Sequence, residues 1–165
     1  MTTQQMVIEA EASLKEAKAA HARQLREEWK QKARDIAREA RVAKSAFLKA
    51  KARYAECSAE LDRLDVKRRQ IGVDLDALGE NFQALEIPLP EEEEAYASEK
   101  QKLDARIAKL RLEVGQVQAR RGQAWQDEIS CGQQYSSLAH AYSNAKALAA
   151  GRPLGVIEGG TAVVE

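Results

Sequence analysis

The residues with the widest chemical repertoire in this chain are two histidines, two cysteines and a few runs of like charge. His21 and His140 are acid–base or metal-ligand types, but neither has an Asp, Ser or Cys partner at a recognisable spacing. Cys57 and Cys131 could serve as nucleophiles or soft metal ligands. No further Cys or His completes a ligand set around them, and two such distant cysteines make no disulfide framework. Both fall on the apolar repeat described below and read as small buried hydrophobes. No phosphate loop or nucleophile motif occurs. The sequence thus predicts no catalytic site, no cofactor, no metal and no small-molecule substrate.

The charge runs are similarly bland. Glu86, Glu91, Glu92, Glu93 and Glu94 form an acidic cluster, which a helix start explains fully. Arg34, Arg38 and Arg41 share one helical face and could hold phosphate. Yet residues 1–50 contain 11 basic and 7 acidic residues, a small excess that suits a solvated flank. No aromatic stacking platform accompanies Lys67, Arg68 and Arg69, or Arg120 and Arg121.

The elements that must position these residues are easier to read. Of 165 residues, 32% are charged and only 5% aromatic, with three prolines and nine glycines. Strong helix formers dominate, a profile of long helices rather than a compact globule. The net charge is zero, from 26 basic and 26 acidic residues, so no overall field steers the chain to nucleic acid or anionic lipid. No apolar run has the length of a membrane span, and the first twenty residues lack the pattern of a signal peptide. The expected location is cytoplasmic or within a virus particle.

Two helices follow from the punctuation. Thr2 and Gln5 have capping-box spacing, and no proline intervenes before Leu85. Pro90 suits a first helical position, with the glutamates after it in the first turn. Gly151 and Pro153 end the second helix. The expected divisions are helix one over 1–85, a turn over 86–90, helix two over 91–150 and a tail over 151–165. A turn this short makes the helices antiparallel neighbours.

Apolar residues then recur in steps of four and three. Helix one carries Trp29, Ile36, Phe47, Tyr54, Leu61, Leu64, Ile71, Leu75, Leu78 and Phe82, with alanines and Cys57 between. Helix two carries Leu103, Ile107, Leu110, Val114, Val117, Tyr135, Leu138 and Tyr142. A period of 3.5 sustained this long predicts a left-handed coiled coil, here an all-α antiparallel hairpin. Seven of the eight aromatics lie on these seams, and Trp125 lies beside one. Arg68, Arg121 and Glu128 are polar seam residues that could fix register, or snorkel to the rim. Closing the turn favours pairs whose numbers sum to about 178, with 185, one heptad away, as competitor. The first register sets Arg121 opposite Cys57, one turn from Glu60.

Helix one overhangs helix two by residues 4–26, roughly 35 Å at the helical rise. This stretch is weakly amphipathic through Met6, Ile8, Leu14 and Leu25. The tail lacks helical period and reads as an extended docking segment through Leu154, Val156, Ile157, Val163 and Val164. The expected role is a structural assembly protein, a rod docking onto itself or a larger complex, including a phage or virion. An adaptor or chaperone-like coiled coil gripping a partner helix is the alternative. A nucleic-acid-binding protein using the basic face is a third. Either protein role predicts protein partners and no membrane.

Overall fold

In the computed structural model, residues 2–152 are described; the expected docking residues Leu154, Val156, Ile157, Val163 and Val164 lie outside the described residues. Two long helices pack against each other, α1 (Thr3–Gln83) and α2 (Pro90–Ala149), with no strand among the described residues.

Each terminus is built by local chemistry. At the start of α1 the Thr2 N–H donates to Gln5 Oε1 at 2.9 Å, and the Gln5 N–H donates to Thr2 Oγ1 at 3.3 Å. This reciprocal pair satisfies two donors that a helix leaves free. At the start of α2, Glu92 reaches back and accepts from the Leu89 N–H at 2.8 Å. Glu91, Glu92 and Glu93 occupy the first turn, at the positive end of the dipole. The end of α2 is a Schellman motif. Gly151 adopts φ 70°, its N–H donates to Leu148 O at 3.0 Å, and the Arg152 N–H donates to Ala147 O at 2.9 Å. A Cβ on Gly151 would come within 2.9 Å of the Arg26 guanidinium. That contact sets the end of α2 level with residue 26.

The end of α1 differs. The helix stops at Gln83 rather than Leu85. The Leu85 N–H turns back to Phe82 O and the Glu86 N–H to Gln83 O, both at 3.2 Å. Glu86 then takes φ 55°, a left-handed conformation held by a residue with a Cβ. No glycine marks this stop, so the sequence carried no signal for it.

The helices divide into two compact units, Leu48–Ile129 and the remainder. Within Leu48–Ile129 the pairing is plain. Phe82 stacks on Tyr96 with ring centroids 4.2 Å apart, a pair whose numbers sum to 178. Cys57, Leu64, Ile71, Leu110 and Val117 form the buried core. Leu61, Leu75, Leu103, Ile107 and Val114 pack against it, half-buried. Tyr54, Leu78 and Phe82 are half-buried too.

In the other unit the core is mostly alanine. Ala33, Ala43 and Ala145 are buried, while Trp29, Ile36, Phe47, Tyr135, Leu138 and Tyr142 are half-buried. Gly132 lies at a close approach here. A Cβ would meet the Phe47 ring at 3.3 Å. Every residue from Thr2 through Glu28 is exposed.

The strain at Glu86 yields a test. Replacing Glu86 by glycine removes a left-handed penalty of about 1 kcal/mol. The Glu86→Gly protein should show a higher urea midpoint at unchanged slope; a lower midpoint would show that the side chain helps hold the turn.

Candidate interaction surface

The two faces of the Leu48–Ile129 unit differ in kind. In heptad letters, α1 carries Arg53, Glu60, Lys67 and Asp74 at g, and α2 carries Arg106, Glu113, Arg120 and Asp127 at g. In an antiparallel pair these two rows flank the same side of the seam. Arg120 Nη2 donates to both carboxylate oxygens of Glu60, at 3.3 and 3.4 Å. Arg53 lies 3.5 Å from Asp127. Lys67, Asp74, Arg106 and Glu113 line one groove on this side without closing to ion-pair distance. All four cross-helix pairs join opposite charges, and their numbers all sum to 180.

Signs alternate at every heptad, and that alternation opposes slippage. Shifting the helices by one heptad toward 185 would set Glu60 against Asp127, Lys67 against Arg120 and Asp74 against Glu113. The opposite shift would set Arg53 against Arg120, Glu60 against Glu113 and Lys67 against Arg106. Either slip converts the pairs to like charges. Exposed ion pairs add little stability, about 0.2–1 kcal/mol each. Changing the sign of several pairs together is a larger difference, and it falls on register.

The other face is open. From Ala50 to Ile71 each layer pairs one buried side chain with one more exposed one, whereas in the layers nearer the turn, such as Leu75 with Leu103 and Phe82 with Tyr96, neither member is fully buried. Buried Leu64, Val117, Cys57 and Ile71 pair with half-buried Val114, Leu61, Arg121 and Ile107. The exposed members all occupy heptad position a, which leans toward the e side on both helices. A shallow groove follows, floored by Leu61, Ile107 and Val114 and edged by Arg68, Arg69, Arg111 and Arg121, with Asp62 and Asp65. It continues past Gln118 and Gly122 to Trp125, which is 54% exposed.

The expected polar seam residues are distributed unequally. Arg68 is exposed and lies against Asp65 at 3.0 Å, at the rim rather than in the seam. Arg69 shares that carboxylate at 2.9 Å. Arg121 is half-buried with its guanidinium 6.0 Å from the Tyr54 ring centroid. The residue that reaches Glu60 is its neighbour, Arg120. Glu128 is half-buried. Cys57 is buried, Cys131 half-buried, and both are free thiols.

In the other unit, Arg34, Arg38 and Arg41 are all exposed. Arg34 donates to Gln31 at 3.3 Å, and Arg38 lies 3.5 Å from Asp35. A phosphate on this face would compete with Asp35. Nearby, Lys30 Nζ lies 2.8 Å from Glu27 Oε1. That hydrogen bond, then the Lys30 charge, holds the Glu27 carboxyl below the usual carboxylate range; slight desolvation opposes it and Arg34 adds to it.

No protein-family model matches this chain, and neither a curated protein nor a solved structure is significantly similar to it. No helix among the described residues is long and apolar enough to cross a membrane. The functional reading therefore rests on the chain's own surfaces.

Two measurements follow. Glu60→Lys and Arg120→Glu should each lower stability, and the exchanged double variant should recover most of it. The coupling should be about 0.5 kcal/mol at low salt and shrink at high salt; strictly additive effects would remove this pair from the ladder. For Glu27, the depressed folded pKa gives a contribution present above the unfolded value and lost as pH falls through the folded one. In an NMR titration, Lys30→Met should raise the Glu27 midpoint toward the ordinary value, and an unmoved midpoint would reject Lys30 as its cause.

Proposed function

We propose that this chain is a non-enzymatic assembly protein, a coiled-coil hairpin that docks into a larger complex through its N-terminal stretch and its C-terminal residues. The carrying observation is the exposure of the first turns of α1. Met6, Val7, Ile8 and Leu14 are all at least half-exposed, on a helix whose residues from Thr2 through Glu28 are all exposed among the described residues. Helices owe most of their stability to packing of an apolar face, so a long stretch of this kind calls for a covering surface. The coiled-coil pairing supports the same reading, since two helices alone bury little surface per residue. A virus particle is one setting that fits.

An adaptor that grips a partner helix along Met6, Ile8 and Leu14 is the second reading, favoured by the same exposure. The two separate by truncation. In extracts of the native host, the tagged full chain should migrate in a particle far heavier than one chain. Deleting residues 152–165 should release it to its free mass under the assembly reading. Unchanged migration of that variant would sink the reading, and release only on deleting residues 2–26 would favour the adaptor.

A further inference from the structure

The open face of the Leu48–Ile129 unit is too regular to be an accident of side-chain size. From Ala50 to Ile71 every layer leaves its more exposed member on that side, while complementary charges flank the seam on the opposite side, two of the four pairs closing to ion pairs. Glycines at 72, 79, 115 and 122 reinforce the asymmetry. By heptad position they occupy e on α1 and b on α2, which lie on the open side of both helices. A Cβ on any of them would meet nothing within 4 Å. Their helix interiors therefore carry a penalty of about 1 kcal/mol each against alanine with no contact inside the unit to explain it.

We propose that this face is an interface between two copies of the chain, α1 of one copy packing on α2 of the other to make a four-helix bundle. This rests on the assembly reading above and names the partner for one of its surfaces. A second copy is selected by complementarity. With a two-fold axis along the helices, α1 of one copy meets α2 of the other at the level where the two already meet within a copy. In such a bundle g rows face g rows on one side and e rows face e rows on the other. Here the g rows are already paired within the hairpin.

The e and b rows then match layer by layer. Asp65 faces Arg111 of the second copy, opposite charges at the rim. Arg111 has no carboxylate within ion-pair distance among the described residues. Lys51 faces Trp125 of the second copy, a cation beside an indole face. Leu48, 51% exposed, faces Ile129 of the second copy, 41% exposed. Ala55 faces Gly122 of the second copy, so small residues meet where the helices must approach. The half-buried Leu61, Ile107 and Val114 turn toward the centre of the bundle, and Arg68 and Arg121, at the same heptad position, must reach out of it to the rim.

The test uses the full chain. Light scattering across a concentration series should give twice the 18.3 kDa of one chain. In a Trp29→Phe background, the emission of Trp125 should shift to the blue as the dimer forms. Arg111→Asp and Asp65→Arg should each weaken the dimer about tenfold, and the exchanged double variant should restore it. Far-UV circular dichroism confirms that each variant keeps its helices. A monomer at every concentration overturns the proposal. So does a dimer indifferent to both charge reversals with Trp125 emission unmoved, since another face would then hold it. A monomer that still enters the heavy particle overturns only the second-copy occupant, whereas a dimer that never enters one keeps this interface and sinks the assembly reading.

Discussion

Two helices cannot cover each other completely, and that geometric limit governs everything else in this protein. In Leu48–Ile129 the layers from Ala50 to Ile71 each contribute one side chain to the buried side and leave its partner at the edge. Among the large side chains of the described residues only Val117 is essentially inaccessible. The hydrophobic contribution is thus spread thinly over many layers, and no single cluster dominates it. Where the layers are mostly alanine, as at Ala33, Ala43 and Ala145, small side chains supply the buried contact. Stability in such a design comes from length and from termini that leave no donor or acceptor wasted. The capping box at Thr2, the back-reaching Glu92 and the Schellman turn at Gly151 all serve that end.

Register is the second consequence. A heptad repeat is degenerate under a shift of seven residues, so an apolar seam alone fits 178 and 185 nearly equally. Two features break the tie. The stack of Phe82 on Tyr96 places two large rings together next to the turn, where a slip would have to lengthen or shorten the connector. Farther along, the alternating signs at Arg53, Glu60, Lys67 and Asp74 make either slip repulsive at several positions at once. Weak, screened ion pairs can do this because register depends on a difference between states, to which each pair contributes twice, once by attraction lost and once by repulsion gained.

Much of the fold was legible because periodicity is a strong signal over this many residues. The helical hairpin, the caps at Thr2 and Gly151, and the pairing of Phe82 with Tyr96 follow from spacing and turn chemistry. What escaped was carried by residues that periodicity does not weigh. The stop of α1 at Gln83 depends on a left-handed Glu86, and sequence reasoning looks for glycine at such a place. The seam line set Arg121 opposite Cys57, one turn from Glu60, but the side chain that reaches Glu60 is not on that line. The flanking Arg120 has the reach, and comparing flanks by their summed numbers would have found it. The candidate surface was less legible than the fold. Its defining property is which of two apolar residues in a layer is covered, and that depends on the rotation of each helix about its axis, not on the order of residues.

The equal count of acidic and basic residues takes on a different meaning once the faces are separated. It does not describe a uniformly neutral surface. On the g side, opposite charges face each other across the seam, and Arg53 with Asp127 and Arg120 with Glu60 close to ion pairs. On the open side, Asp65 is shared by Arg68 and Arg69, while Arg111 and Arg121 have no carboxylate within ion-pair distance among the described residues. Apolar side chains half-covered by water lie between them. A surface that combines partial apolar exposure with unmatched cations is costly to leave bare and selective in what relieves it, because an occupant must bring both a hydrophobic stripe and correctly spaced acids. The same heptad that fixes how the two helices meet therefore also fixes the spacing that any third helix has to match.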